Sequence, residues 1–191
     1  MILRQFADVA ALRRAIDAIA SAAEFRHLRT RGGRMSVAMT NCGAWGWHSD
    51  MAGYRYVARD PLTDVPWPAL PPLFANLAQS AAASAGFGAF VPDCCLINRY
   101  GVGAQMGTHQ DFDEWDLSQP IVSISIGLPA VFCWYGAERS GKPLRVPLSS
   151  GDVLVWGNGA RTGFHGVRPV ASGHDPSAEP FRYNLTFRRA R

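Results

Sequence analysis

Val9, Leu12, Ile16, Ile19 and Ala23 recur at helical spacing behind Asp8, a residue type that caps helix N-termini. Arg13, Arg14 and Asp17 lie off that stripe. Residues 35–40 (Met-Ser-Val-Ala-Met-Thr) read as a strand. Pro72 suits the first turn of a second helix with Leu73, Leu77 and Ala81 along one side and Gly86 at its end. From residue 93 onward the period falls to two. Residues 94–100 put Leu96, Asn98 and Tyr100 on one face, and residues 121–126 set Val122, Ile124 and Ile126 against Ser123 and Ser125. Residues 131–135, 145–148 and 153–156 add further short strands. Many short strands separated by Gly and Pro turns predict an α+β, mainly β chain, a sandwich or jelly-roll barrel with supporting N-terminal helices.

The last strand is the most informative. Phe181, Tyr183, Leu185 and Phe187 form one face, and Arg182, Asn184, Thr186 and Arg188 the other. One reading leaves the polar face in solvent and the apolar face in the core. The other turns the polar face into a small barrel and covers the aromatic face with helices. Arginines inside a barrel then need an anionic partner, because an unpaired buried charge is very costly. Two guanidinium arms on one face could bracket a small dicarboxylate.

Composition narrows the class. The 191 residues are 48% hydrophobic with a net charge of +4, as expected for one globular domain, residues 1–191, rather than a disordered chain. Lys142 is the only lysine, so nearly all positive charge is guanidinium, which suits planar contacts with phosphate or carboxylate. Cys42, Cys94, Cys95 and Cys133 contain no Cys-x-x-Cys pair and read as reduced thiols of a cytoplasmic protein. The uncharged run 65–92 is long enough to span a bilayer, but Pro66, Pro68, Pro71, Pro72, Gly86 and Gly88 interrupt it, so no membrane span is expected. Arg26, Arg29, Arg31 and Arg34 cluster near Trp45, Trp47, Tyr54 and Tyr56. Such a surface can grip phosphates and stack bases, although a solvated hairpin over core aromatics has the same composition.

Against this background His109-Gln110-Asp111 stands out. In a strand, residues i and i+2 project together about 6.5–7 Å apart, so His109 and Asp111 would aim at one point. Two ligands do not close a metal site. His165, just past the run 152–156, is the best third. Two histidines and a carboxylate make the facial triad of non-haem Fe(II) oxygenases, which leaves positions open for co-substrate and O2. Iron beside a diacid pocket suggests 2-oxoglutarate.

Together, residues 35–43, Leu96-Ile97-Asn98-Arg99-Tyr100, His109-Gln110-Asp111, Trp156-Gly157, His165-Gly166 and residues 182–188 closely resemble the AlkB family of Fe(II)/2-oxoglutarate-dependent nucleic-acid demethylases, in its bacterial branch. The resemblance implies a double-stranded β-helix, its jelly-roll core at about residues 93–191, under a nucleotide-recognition lid at about 25–60. It implies His109, Asp111 and His165 as iron ligands and Asn98, Tyr100, Arg182, Asn184 and Arg188 as the 2-oxoglutarate site. It also implies Trp47 stacking on a flipped base, with Met39, Asp113 and Arg139 near that base and Tyr54 near the nucleic-acid backbone. The implied reaction couples oxidative decarboxylation of 2-oxoglutarate to hydroxylation of an N-methyl group, which then leaves as formaldehyde. Single-stranded or damaged DNA is the expected partner, RNA a second one, and a monomer the expected state. Two departures bear on the lid. The Gly32-Gly33 loop is one residue shorter than the family pattern, and Arg34 stands where an aromatic is expected; the family's first N-terminal residues are also expected to be missing.

Rival readings remain at this point. An oxygenase acting on another substrate (RNA, protein or a small molecule) would share the triad but not turn over methylated oligonucleotides. A catalytically dead binding module would not bind Fe(II) and 2-oxoglutarate together. A hydrolytic zinc enzyme would have no use for the arginine-bearing strand.

Overall fold

The computed structural model describes every residue except Glu179. In chain order the elements are β1 (Ile2–Leu3), α1 (Val9–Ala22), β2 (Arg29–Thr30), β3 (Gly33–Arg34), β4 (Ala38–Gly43), β5 (Gly46–Asp50), β6 (Gly53–Val57), α2 (Pro72–Ser84), β7 (Cys94–Tyr100), β8 (Met106–His109), β9 (Ile121–Gly127), β10 (Ala130–Gly136), β11 (Leu144–Leu148), β12 (Val153–Trp156), β13 (Phe164–Val167) and β14 (Arg182–Arg188). A six-stranded sheet runs β1-β12-β9-β14-β7-β4, and a four-stranded sheet runs β11-β10-β13-β8. All pairings in both are antiparallel. This is the jelly roll that the short alternating strands predict.

Both helices pack on the outer face of the large sheet. Asp8 caps α1 by accepting from the Ala11 N–H at 3.2 Å, a contact type worth about 1 kcal/mol. Leu12, Ile16 and Ile19 of α1 then meet Tyr183, Leu185 and Phe187 of β14 in the main core, with Phe74, Ala78, Ala81 and Ala82 of α2. The aromatic face of β14 is therefore the one under the helices, and its polar face looks into the barrel. Of the predicted α2 stripe, Ala81 is fully buried and Leu77 packs against the core, but Leu73 turns outward. Phe74 is fully buried, with its ring edge-on to Phe187, whereas Leu73 is largely exposed. Three small alanines on that side allow close approach to the sheet. Gly86 ends the helix as expected, with φ +88°.

The strand expected at 35–40 begins later. Met35 N–H donates to Leu28 O, extending the returning arm of the β2-β3 hairpin, and Ser36 Oγ–H donates to Gln105 O just before β8 begins. β4 itself forms the edge of the large sheet beside β7, and in the chain it lies between the hairpins β2-β3 and β5-β6. All four cysteines are free and buried. No described helix is long and apolar enough to cross a membrane.

Candidate active site

The small sheet brings two imidazoles together. β13 pairs with β8 so that His165 lies opposite His109, and the ring centroids are 4.4 Å apart. Gly166 permits this approach, since a Cβ there would meet Met106 O at 2.8 Å. His109 Nδ1 lies 2.8 Å from Gly107 O and His165 Nδ1 2.9 Å from Gly163 O. A proton on each Nδ1, donated to these carbonyls, leaves both Nε2 lone pairs for a metal. Phe132, Trp134 and Trp156 surround the His165 ring and fix its plane.

β8 stops at His109, so Asp111 lies just past the strand rather than within it. The turn nevertheless returns its carboxylate to the histidines, 3.7 Å from His109 Nε2 and 3.6 Å from His165 Nε2. One ligand atom from each of the three residues lies within 4.8 Å of the others. Burial lowers the His109 pKa and so favours its neutral, ligating form. Burial pushes the Asp111 carboxyl upward, but Arg188 and His165 outweigh it and hold the group well below the usual carboxylate range. Two imidazoles and one carboxylate are a donor set that fits Fe(II).

The large sheet supplies the other half of the site. β14 pairs with β7 so that Arg182 lies opposite Tyr100 and Asn184 opposite Asn98. Arg182 is 1% exposed. Its Nη2 donates to Ser125 Oγ at 3.1 Å and its guanidinium lies 4.9 Å from the Tyr100 ring centroid, while Nε and Nη1 have no partner among the described residues. Burial lowers the Arg182 pKa and raises that of the Tyr100 phenol. Asn98 Oδ1 is likewise unpartnered. Asn184 is held by the protein: its Nδ2 donates to Ser123 Oγ and Ile124 O, and its Oδ1 accepts from Thr186. Buried polar groups are ordinarily satisfied, so the bare donors of Arg182 fit an anionic group bound beside them.

Arg188, at the other end of the same face, is engaged. Its Nη2 donates to Asp111 Oδ2 at 2.9 Å, and its Nε forms an ion pair with Glu114 Oε1 at 3.1 Å, while Nε and Nη1 have no hydrogen-bond partner among the described residues. Glu114 also accepts from Tyr56 O–H at 2.5 Å and from Arg161 Nη2 at 2.8 Å. Arg161 donates in addition to Asp111 O and Gln119 O, pinning the turn that carries Asp111. Glu114 and Arg161 were not legible as site residues, because nothing local distinguishes them from surface charges. Ser123 and Ser125 did carry a signal, as small polar residues alternating with Val122, Ile124 and Ile126.

A cavity of about 570 Å3 joins these parts. Met39, Trp47, Tyr54, Asp113 and Arg139 line it together with the triad and with Asn98, Tyr100, Arg182, Asn184 and Arg188. Every residue proposed from the sequence thus faces one space. Trp47 Nε1–H donates to Asp113 Oδ2 at 3.3 Å, and Tyr54 stacks on Trp47 at a centroid distance of 5.4 Å. Burial raises the Asp113 pKa, with the nearby Glu114 and Asp111 charges acting in the same direction.

Comparison with known proteins agrees with this geometry. The family described as the 2OG-Fe(II) oxygenase superfamily matches residues 1–188. The chain is 53% identical to the alpha-ketoglutarate-dependent dioxygenase AlkB of Salmonella typhimurium and 51% identical to that of Escherichia coli, covering all of this chain and 89% of each relative. This is an AlkB-family dioxygenase. The AlkB homolog of Caulobacter vibrioides is 44% identical over 96% of the chain and 84% of its own length. The solved structure of OsALKBH1 superposes with a TM-score of 0.85 at 28% identity, over 98% of this chain and 96% of that one. An AlkB-family site takes Fe(II), 2-oxoglutarate and O2, and the unpartnered donors described above fit the co-substrate.

Proposed function

We propose that the protein removes methyl groups oxidatively from alkylated bases, chiefly 1-methyladenine and 3-methylcytosine in DNA and also in RNA, reversing the damage directly. The observation that carries this reading is one cavity joining a two-histidine, one-carboxylate cluster to a dry arginine with bare donors and to an indole tied to a free carboxylate. His109, Asp111 and His165 hold Fe(II). Arg182 takes the distal carboxylate of 2-oxoglutarate, Tyr100 and Asn98 flank it, and Arg188 stands between co-substrate and Asp111. Asn184 keeps β14 and β9 in register beside them. The bound iron and 2-oxoglutarate, with O2, supply the oxidising chemistry that hydroxylates the N-methyl carbon.

The protein's own part is binding and position. Trp47 stacks on the base, Asp113 presents negative charge to it, and Met39 and Arg139 border it, while Tyr54 meets the backbone. The base must leave the stack to enter the cavity, which is least costly from single strands or damaged pairs. We place the protein in the cytoplasm and expect it to act as a monomer. The test is release of formaldehyde and succinate in equal amounts from methylated oligonucleotides with Fe(II) and 2-oxoglutarate. Succinate from 2-oxoglutarate with no formaldehyde from any methylated strand would overturn the substrate assignment while leaving the oxygenase chemistry in place.

A further inference from the structure

Trp115 is 77% exposed and Phe112 59%, both on the turn that carries Asp111 and Asp113. An exposed tryptophan is seldom left without use on a folded surface. Here it is also held rigidly. The Trp115 backbone N–H donates to Ala190 O, and the Arg191 guanidinium lies 4.6 Å from the Trp115 ring centroid. The same guanidinium reaches Trp45 and Tyr56 and donates to Asp113 O at 3.1 Å. One side of the indole therefore rests on a cation tied to the active-site turn, while most of the ring meets water. Phe112 continues this surface inward, since it is exposed and also lines the cavity. Asp116 adds an exposed carboxylate to this turn, kept ionised by the Ser118 N–H and O–H and by Gln119, with Arg189 close enough to offset part of its charge.

We infer that Trp115 and Phe112 form a stacking platform for the unpaired bases flanking the one in the cavity. This rests on the nucleic-acid reading above. The occupant is a single-stranded segment. The platform is continuous with the cavity that takes the target base, and an aromatic face accepts any base. Arg191 and the exposed Arg189 place positive charge at its edge, part of the Arg189 charge being offset by Asp116.

The test compares kcat/KM on three methylated substrates: a trinucleotide, an eleven-nucleotide strand, and the same strand with abasic flanks. For the native protein the full strand should exceed both others. Trp115→Ala should lower that advantage about five- to a hundredfold, as expected for one lost base stack, mainly through KM. Phe112→Ala should act in the same direction and Trp115→Tyr should restore most of the loss. An unchanged ratio in Trp115→Ala, or an equal loss on all three substrates, overturns the proposal. So does a monomer-dimer shift on sedimentation with the ratio intact, which would make the surface a contact between two copies. Absence of formaldehyde from all three substrates with the native protein would instead sink the demethylase reading itself.

Discussion

Arg182 and Arg188 begin and end one strand, share its inner face and are both buried, yet they sit in opposite environments. Around Arg188 the protein provides its own counter-charges, Asp111 and Glu114. Around Arg182 it provides a serine hydroxyl and a tyrosine face, and no carboxylate among the described residues pairs with it. An internally paired charge is a structural element, because removing it strands its partners. A buried charge kept without an anion is a place prepared for one. One end of the strand thus carries its own counter-charges, and the other lacks one among the described residues.

The most severe way to break this contrast is at the metal end. Asp111→Ala removes one ligand and one of the counter-charges of Arg188. Formaldehyde release should fall below detection, and anaerobic Fe(II) plus 2-oxoglutarate should give no absorption band. Glu114 still faces Arg188, so the circular dichroism of the folded chain should persist. Undiminished turnover would remove Asp111 from the ligand set.

The two arginines can then be compared directly by Arg→Met exchange in metal-free protein. Arg188→Met leaves Asp111 and Glu114 as buried carboxylates and should destabilise by about 3–5 kcal/mol in denaturant unfolding. Arg182→Met strands no partner and should be neutral or stabilising without 2-oxoglutarate. It should nevertheless raise the 2-oxoglutarate requirement by roughly 30- to several thousand-fold, the equivalent of about 2–5 kcal/mol, with oligonucleotide affinity little changed. Equal destabilisation by both exchanges would erase the contrast. Loss of oligonucleotide affinity in Arg182→Met would make that residue a phosphate contact.

Glu114 and Arg161 act on the metal end through the turn. Arg161→Met frees Asp111 O and Gln119 O and leaves Glu114 with only Arg188 and Tyr56. Outer partners of metal ligands typically contribute about 10–100-fold to metal affinity. A weakening of Fe(II) binding in that range is expected, at near-native 2-oxoglutarate affinity. If Fe(II) binding is unchanged, the network serves stability alone.

Legibility in the sequence followed the same division. Strand residues declared themselves through alternation: β7 read as one face of Leu96, Asn98 and Tyr100, β14 as a polar and an aromatic face, and the helices settled which face of β14 went inside. His109 and His165 could be proposed because strand spacing and turn position are local properties. Glu114, Arg161 and the docking of the turn could not, since their partners lie 42 to 58 residues away along the chain and depend on how the loops return. One residue of the α2 face was misplaced for a related reason. Leu73 and Phe74 suit a stripe through Ala81 almost equally, and only the sheet beneath puts Phe74 inside and Leu73 out.

The smallest expected effect concerns choice of base, where the structure ties together two residues that the sequence treats as separate. Methylation at N1 of adenine or N3 of cytosine makes the base cationic, while the unmodified base is neutral near pH 7. Asp113 presents a carboxylate to the cavity, and opposite charges attract more strongly where water is scarce. Stacking on Trp47 is indifferent to that charge. Asp113→Ala should therefore lower kcat/KM on 1-methyladenine and 3-methylcytosine about tenfold relative to the neutral 1-methylguanine, a difference of roughly 1.4 kcal/mol. Loss of the stack in Trp47→Ala should by itself weaken all three alike. But the Trp47 N–H donates to Asp113, so the indole also orients the carboxylate. Trp47→Phe, which keeps a stacking ring and loses the donor, should show a diluted form of the Asp113→Ala preference, and the two changes together should be non-additive. If Asp113→Ala weakens all three lesions by one common factor, the charge does not select the base. If Trp47→Phe leaves the ratio untouched, the hydrogen bond does not orient it.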